Sequence, residues 1–290
     1  MGKSLNEYAQ TSLKEYIEKI ENNLNADVLV YYGPFVEGLQ NSFARIVEEL
    51  ASDPNKKSSI FIVLTTTGGS AEVVERYVNI LRHHYDEVNF IVPDYAYSAG
   101  TIFCMSGDNI YMDYLSILGP IDPQVINKDG KFVAALGYLD KINDLLEKAR
   151  DGSISDSEFL ILRDFDLAEL RGYEQAKDLT IALLKKWLVK YKFKNWTVHR
   201  TNSSLIGTVV TENQKEKRAT EIADDLSNNN KWKSHARPIN IHDLKELKLE
   251  IEDYSNKTEL RDLIRDYYEL MDDYVRINQT KIFINTRNFI

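Results

Sequence analysis

The 290-residue chain predicts an α/β fold: a parallel β-sheet core with crossover helices, extended by a helical C-terminal part into one extended domain. Three observations predict it. Three short apolar runs alternate with two amphipathic stretches between residues 26 and 92, the order that right-handed βαβ crossovers produce. The runs are nearly unbroken in β-branched, aromatic and leucine side chains, as in strands covered on both faces. No internal repeat and no linker rich in Pro, Gly or Ser divides the chain.

Residues 7–24 read as a helix, with Leu13, Ile17 and Ile20 at helical spacing, and residues 1–24 are set apart as an N-terminal helix. Ala26 to Tyr32 is a buried strand closed by the turn Gly33-Pro34. Phe35 to Leu50 carries Phe43, Ile46, Val47 and Leu50 on one stripe and reads as a helix on the sheet. Ser59 to Leu64 is the second strand and ends in Thr-Thr-Thr-Gly-Gly-Ser. Val73 to His84 is the next helix and Val88 to Val92 the third strand. Beyond them come an apolar stretch at Thr101 to Met105, a strand at Asn109 to Met112 and helices at Val133 to Ala149 and Ser155 to Tyr191. Residues 195–211 read as a loop with short strands, and Glu212 to Asn228 as a helix. A helix at Ile241 to Leu247, a strand at Leu249 to Ile251, a long helix at Thr258 to Ile277 and a last strand-like Lys-Ile-Phe-Ile complete the chain.

The composition narrows the function. With 36 Lys+Arg against 45 Asp+Glu the formal charge is −9, which repels nucleic-acid phosphates and anionic lipids alike. The single cysteine, Cys104, allows no intramolecular disulfide and no multi-cysteine metal site, and suits a reducing cytosol. It lies in an apolar stretch and reads as core. No apolar run reaches the length of a membrane span. The expectation is a cytoplasmic protein with neither membrane nor nucleic-acid partner, without metal or other cofactor.

In parallel sheets, ligands sit beyond the carboxyl ends of the strands, where two unusual segments fall. Gly68-Gly69 before a helix start allows positive φ and close approach of a ligand, and its free N–H groups suit an oxyanion. Neither a Walker lysine nor a G-x-G-x-x-G pattern follows, which disfavours a nucleotide. Ser98, in Tyr-Ser-Ala-Gly after the next strand, stands at a tight turn that presents its Oγ and lends the next N–H to an oxyanion hole. Ala96 stands where the hydrolase elbow has a glycine, which disfavours that fold.

In these blocks the chain resembles the serine dehydrogenase proteinase family of the Clp protease/crotonase superfamily, distant from signal peptide peptidase A. The resemblance spans residues 25–287. It rests on Thr-Thr-Thr-Gly-Gly-Ser-Ala, Tyr-Ser-Ala-Gly-Thr, Ser-Gly-Asp-Asn-Ile and Leu-Gly-Pro-Ile-Asp-Pro-Gln, then His235-x-x-Pro238-Ile239 and Lys281-x-x-x-Asn285. It implies a Clp-like core and an ATP-independent serine peptidase acting on a peptide or protein, and a homo-oligomer. Ser98 would be the nucleophile, His235 the base and Asp122 its orienting acid, with Asp108 and Asp113 as rival acids. Backbone N–H groups of Gly68, Gly69 and Ala99 would hold the oxyanion. Signal peptide peptidase relatives use a lysine base, for which Lys141 and Lys148 are the alternatives. His83, His84, His199 and His242 read as structural or exposed. Two other readings stand beside the peptidase: a crotonase-like thioester lyase or hydratase, and a catalytically degenerate scaffold binding partners through Tyr267, Tyr268, Leu270 and Tyr274.

Overall fold

The computed structural model describes residues 4–126, 130, 132–200 and 203–290, so the first three residues of the expected N-terminal segment lie outside it. Its centre is a six-stranded sheet of β1 (Asp27–Tyr32), β2 (Ser59–Thr65), β3 (Glu87–Val92), β5 (Asn109–Met112), β9 (Glu252–Asp253) and β10 (Phe283–Asn285). The order is β10-β1-β2-β3-β5-β9, and every neighbouring pair is parallel except β1 with β10. Two small pairings flank the sheet's carboxyl edge: parallel β4 (Tyr95–Ala96) with β6 (Ile117–Leu118), and the antiparallel hairpin β7 (Gln124–Ile126) with β8 (Phe132–Ala134).

Side chains alternate along a strand, and here both faces are buried. Leu29, Tyr31, Ile60, Ile62, Leu64, Phe90 and Val92 face one layer of helices: α2 (Gln40–Ala51), α3 (Ala71–His84), α4 (Ala99–Met105), α7 (Leu167–Trp187) and α8 (Glu212–Leu226). Val28, Val30, Phe61, Val63 and Ile91 face the other layer, α1 (Leu5–Leu24) and α11 (Thr258–Ile277). This is why the strands read as continuous apolar runs. Cys104 is fully buried in the first layer, and burial pushes its thiol far above the usual range. Among the described residues no helix is long and apolar enough to cross a membrane.

Several boundaries differ from the sequence reading. Phe35 is held as an isolated bridge to Gly69, a turn follows at residues 37–38, and α2 starts only at Gln40. The helix expected from Ser155 to Tyr191 breaks into α6 (Asp156–Arg163), α7 and a π turn at Leu188–Lys192; the Asp166 carboxylate caps α7 through Ala168 N–H at 2.7 Å and so ends α6. Val133 and Ala134 belong to β8, and α5 runs Ala135–Arg150. The strand expected at Leu249 to Ile251 pairs at Glu252–Asp253 instead. Two short helices, α9 (Asn229–Trp232) and α10 (Ile241–Glu246), flank the segment that carries His235. The tyrosines assigned to a partner surface face inward: Tyr267 is buried with its hydroxyl on Asn285 Oδ1 at 2.9 Å, and Tyr268 donates to Asp94 at 2.9 Å.

The C-terminal segment closes the sheet through one cation. Arg287 Nη1 reaches Glu21 at 2.7 Å and Asp27 at 2.8 Å, and its Nε reaches Asp53 at 3.4 Å. Removing the cation leaves three carboxylates facing one another, and loss of one partner from a buried pair costs about 3–5 kcal/mol. Thermal unfolding of Arg287→Met at pH 7 is expected to show a deficit of that size. The deficit shrinks in acid, because carboxyls crowded without a cation have raised folded-state pKa values and regain stability as they protonate. A deficit equal at pH 7 and pH 4.5 would refute the shared-cation account.

Candidate active site

Two loops at the carboxyl end of the sheet are lashed together by backbone bonds. Thr66 N–H donates to Tyr95 O at 3.1 Å, and Tyr97 N–H donates to Thr66 O at 3.0 Å. This clamps the Thr-Thr-Thr-Gly-Gly-Ser loop after β2 against the Tyr-Ser-Ala-Gly turn after β4. The approach is close enough to require glycine at both positions. A Cβ on Gly68 would stand 2.9 Å from Ser98 Cβ and 2.8 Å from Tyr97 O, and one on Gly69 only 2.2 Å from Phe35 O. Both glycines have positive φ, +100° and +142°. Ser70 then starts α3 by accepting Val73 N–H at 3.1 Å.

Ser98 is the strained residue of the site, with φ 52° and ψ −114°. A non-glycine residue held there stores about 1–3 kcal/mol, which neighbouring bonds must offset. Gly100 N–H closes the turn on Tyr97 O at 2.8 Å, and the single Thr101 hydroxyl proton is shared between Ala96 O and Gly119 O, at 2.9 and 2.8 Å from Oγ1. Gly119 N–H returns a bond to Thr101 Oγ1 at 3.1 Å, so one threonine joins the serine turn to the loop of Asp122. Thr101 and Phe35 are positioning residues that the sequence reading passed over, and nothing in the local pattern distinguishes them from ordinary core.

The structure places the Asp122 segment against both Ser98 and His235. Ser98 Oγ donates to the backbone carbonyl of Asp122 at 3.2 Å. The Asp122 carboxylate is buried; Oδ1 accepts Leu136 N–H from the first turn of α5 at 3.0 Å, and Oδ2 lies 3.8 Å from His235 Nδ1. That separation is an ion-pair distance, longer than a hydrogen bond. The histidine segment is delivered by an antiparallel bridge in which Leu118 and Ile239 exchange two backbone bonds of 2.9 Å. Lys231, Lys233 and Arg237 make this segment look like solvated surface. Yet the His235 side chain is only 21% exposed, and both ring nitrogens are buried with no hydrogen-bond partner among the described residues.

Other expected participants are placed elsewhere. The Gly68 N–H, expected at the oxyanion, donates to Thr66 Oγ1 at 3.0 Å in this conformation. A threonine two residues before a glycine is the sequence signal for that local bond. The N–H groups of Gly69 and Ala99 meet no acceptor among the described residues. Lys141 and Lys148 lie on α5, the first exposed and the second half-buried, paired with Asp144 at 3.6 Å and Glu158 at 2.7 Å. Hydrogen bonding to Glu158 raises the Lys148 pKa, the opposite of the desolvated neutral amine that a lysine base requires. Asp108 is held by Arg82 at 2.7 Å and Val88 N–H at 2.8 Å, and Asp113 by Arg265 at 2.6 Å, so both rival acids pin the scaffold. His199 packs on Trp196, His242 pairs with Glu246 at 3.3 Å in solvent, and His83 and His84 end α3.

Two uncharacterized proteins of Methanocaldococcus jannaschii are each 27% identical to this chain, over 216 and 197 residues. The matches cover 74% and 68% of this chain but 56% and 54% of those proteins, so the chain spans about half the length of the curated relatives it matches. Among solved structures, a ClpP1 mutant from Listeria monocytogenes matches 83% of this chain and 99% of its own with a TM-score of 0.38 and 11% identity. A mutant of the 1510-N membrane-bound stomatin-specific protease matches 55% of this chain and 83% of its own, with a TM-score of 0.32 and 19% identity. The model of one family covers residues 39–206, more than half of the chain, including Gly68, Gly69, Ser98 and Asp122: the chain belongs to the ClpP-like SDH-type serine proteinases.

Proposed function

We propose that the chain is a serine peptidase that hydrolyses peptide bonds through an acyl-enzyme on Ser98, without nucleotide or metal. The observation that carries this reading is the strained serine whose hydroxyl meets the Asp122 loop while a half-buried imidazole, its nitrogens free of hydrogen bonds among the described residues, lies beside the Asp122 carboxylate. Ser98 Oγ attacks the peptide carbonyl carbon as His235 takes its proton. The N–H groups of Ala99 and Gly69 receive the oxyanion, with Gly68 joining if its N–H leaves Thr66. Collapse expels the amine with the proton from His235 and leaves the acyl ester. Water, deprotonated by His235, then releases the acid and restores the serine. Asp122 orients the imidazole and stabilises its cation. Because Ser98 Oγ donates to a carbonyl at 3.2 Å, the hydroxyl must leave that bond for the imidazole before attack, and unliganded sites often show catalytic hydrogen bonds not yet formed.

The same hydrogen bond favours a second reading, a scaffold whose serine is locked and inert. Treatment of the folded protein with a fluorophosphonate, read by intact mass and peptide mapping, separates the two. The peptidase reading expects one adduct per chain, on Ser98. Folded protein that takes no adduct overturns it in favour of the scaffold.

A further inference from the structure

Of the two glycines in the loop, Gly68 is the one that faces the nucleophile. A Cβ there would stand 2.9 Å from Ser98 Cβ and 3.3 Å from the Ala99 nitrogen, whereas the three nearest atoms to one on Gly69 all belong to Phe35. The Gly68 backbone therefore borders the space where a tetrahedral oxygen would form, beside an Ala99 N–H that meets no acceptor among the described residues. Its own N–H is turned back onto the chain, to Thr66 Oγ1 at 3.0 Å, and this is the only hydrogen bond of the Thr66 hydroxyl among the described residues. Thr66 is held firmly in place. It is 1% exposed, its N–H donates to Tyr95 O at 3.1 Å, its carbonyl accepts Tyr97 N–H at 3.0 Å, and its γ-methyl lies 2.4 Å from where a Cβ on Gly100 would stand. With Thr66 and Gly68 both buried, an acceptor that takes the Gly68 N–H must displace the threonine oxygen.

We propose that Thr66 is a latch on the oxyanion site: its hydroxyl holds the Gly68 N–H between turnovers and yields it when negative charge develops on the substrate carbonyl. The proposal rests on the peptidase reading and adds to it a positioning residue that acts only through Gly68. A hydrogen bond to an oxyanion is charge-assisted and about twice as strong as one to a neutral hydroxyl. The N–H therefore changes partner as the tetrahedral intermediate forms and returns when it collapses. Two consequences follow for the same atom. Between turnovers, Thr66 Oγ1 satisfies a buried donor that would otherwise stand unpaired, which stabilises the fold. During turnover its bond has to be broken, so the site stabilises the transition state by less than a free N–H would. The size of that brake is one neutral hydrogen bond, a factor of about five in rate, equivalent to about 1 kcal/mol.

Thr66→Ser and Thr66→Ala separate the hydroxyl from the methyl, because these two variants differ from each other only in Oγ. Fluorophosphonate labelling is expected to be about fivefold faster in folded Thr66→Ala than in Thr66→Ser, while the denaturation midpoint of Thr66→Ala is the lower. A threonine with a merely structural role would lower both. Wild type gives an independent reading, since Thr67-Gly68 is the only Thr-Gly pair in the sequence. With isotopes at the threonine carbonyl carbon and the glycine nitrogen, a carbonyl-to-amide correlation spectrum isolates the Gly68 N–H. Its proton resonance is expected to move downfield when the phosphonyl oxygen of the adduct replaces Thr66 Oγ1. Labelling no faster in Thr66→Ala than in Thr66→Ser, or a Gly68 resonance that does not move downfield in the adduct, would overturn the latch and leave the peptidase reading in place. No adduct on wild type or on either variant, all folded, would overturn both. An adduct on Thr66→Ala alone would uphold the latch, as a full lock, and set aside the peptidase reading of the wild-type chain.

Discussion

Replacing Ser98 with alanine is expected to lower kcat for peptide hydrolysis by roughly 10⁵–10⁶-fold while the fold persists, as when a nucleophile is removed from an acyl-transfer site. The two outcomes have separate causes. The hydroxyl is the attacking atom of the proposed mechanism, and no other described side chain stands in its place. For stability it contributes one neutral hydrogen bond, to Asp122 O at 3.2 Å, about 1 kcal/mol, and alanine keeps the Cβ that packs against Gly68. His235→Ala is expected to lower kcat by a similar order, and the double variant by no more than either alone, because nucleophile and base act as a unit. Asp122→Asn should cost less, since it leaves base and nucleophile in place. Hydrolysis within tenfold of wild type in Ser98→Ala, on protein shown to be folded, would remove Ser98 from the mechanism.

The second large effect is structural. Gly69→Ala is expected to destabilise the chain by about 3–5 kcal/mol, through a backbone conformation that L side chains rarely adopt and a clash that cannot relax cheaply. The added Cβ would lie 2.2 Å from Phe35 O and 2.8 Å from Phe35 N, both backbone atoms already committed: Phe35 N–H to Gly68 O at 2.8 Å and Phe35 O to Ser70 N–H at 3.0 Å. Relief requires breaking that bridge, which would free the loop that borders Ser98. Chemical denaturation should show the loss as a lower midpoint at unchanged slope, and fluorophosphonate labelling should slow in the fraction that remains folded. Gly38→Ala is the control, because a Cβ there meets nothing within 4 Å. Its positive φ alone should cost only about 1 kcal/mol. Equal losses at the two positions would show that the Phe35 contact carries no weight.

How much could be read in advance differs by residue. The glycine pair and Ser98 were legible because backbone demands are local: a residue at φ +142° under a neighbouring strand must be glycine, and a serine before Ala-Gly marks a tight turn. The sheet was legible because strands buried on both faces must be apolar at every position. Element ends were less so, since Phe35, read as the first residue of a helix, is instead captured by a loop more than thirty residues away, and the break before α7 depends on a single capping carboxylate. Among charged residues the sequence offered near-equals. Asp108, Asp113 and Asp122 lie within fifteen residues of one another, and only their partners tell them apart: Arg82 and Arg265 neutralise the first two, and Asp122 is left facing an imidazole.

By itself, then, the sequence determined the layered α/β architecture, the glycine-lined turn and the serine presented on it, because apolar periodicity and backbone sterics act over a few neighbouring residues. Only the tertiary structure decided which acid meets His235, that its ring nitrogens are out of solvent although Lys231, Lys233 and Arg237 flank it in sequence, that Lys141 and Lys148 pair with Asp144 and Glu158, and that α6 is left uncovered. Those outcomes depend on burial and on charge pairing, above all between segments more than a hundred residues apart, as between Asp122 and His235 or Asp113 and Arg265, and spacing along the chain carries no information about such distances.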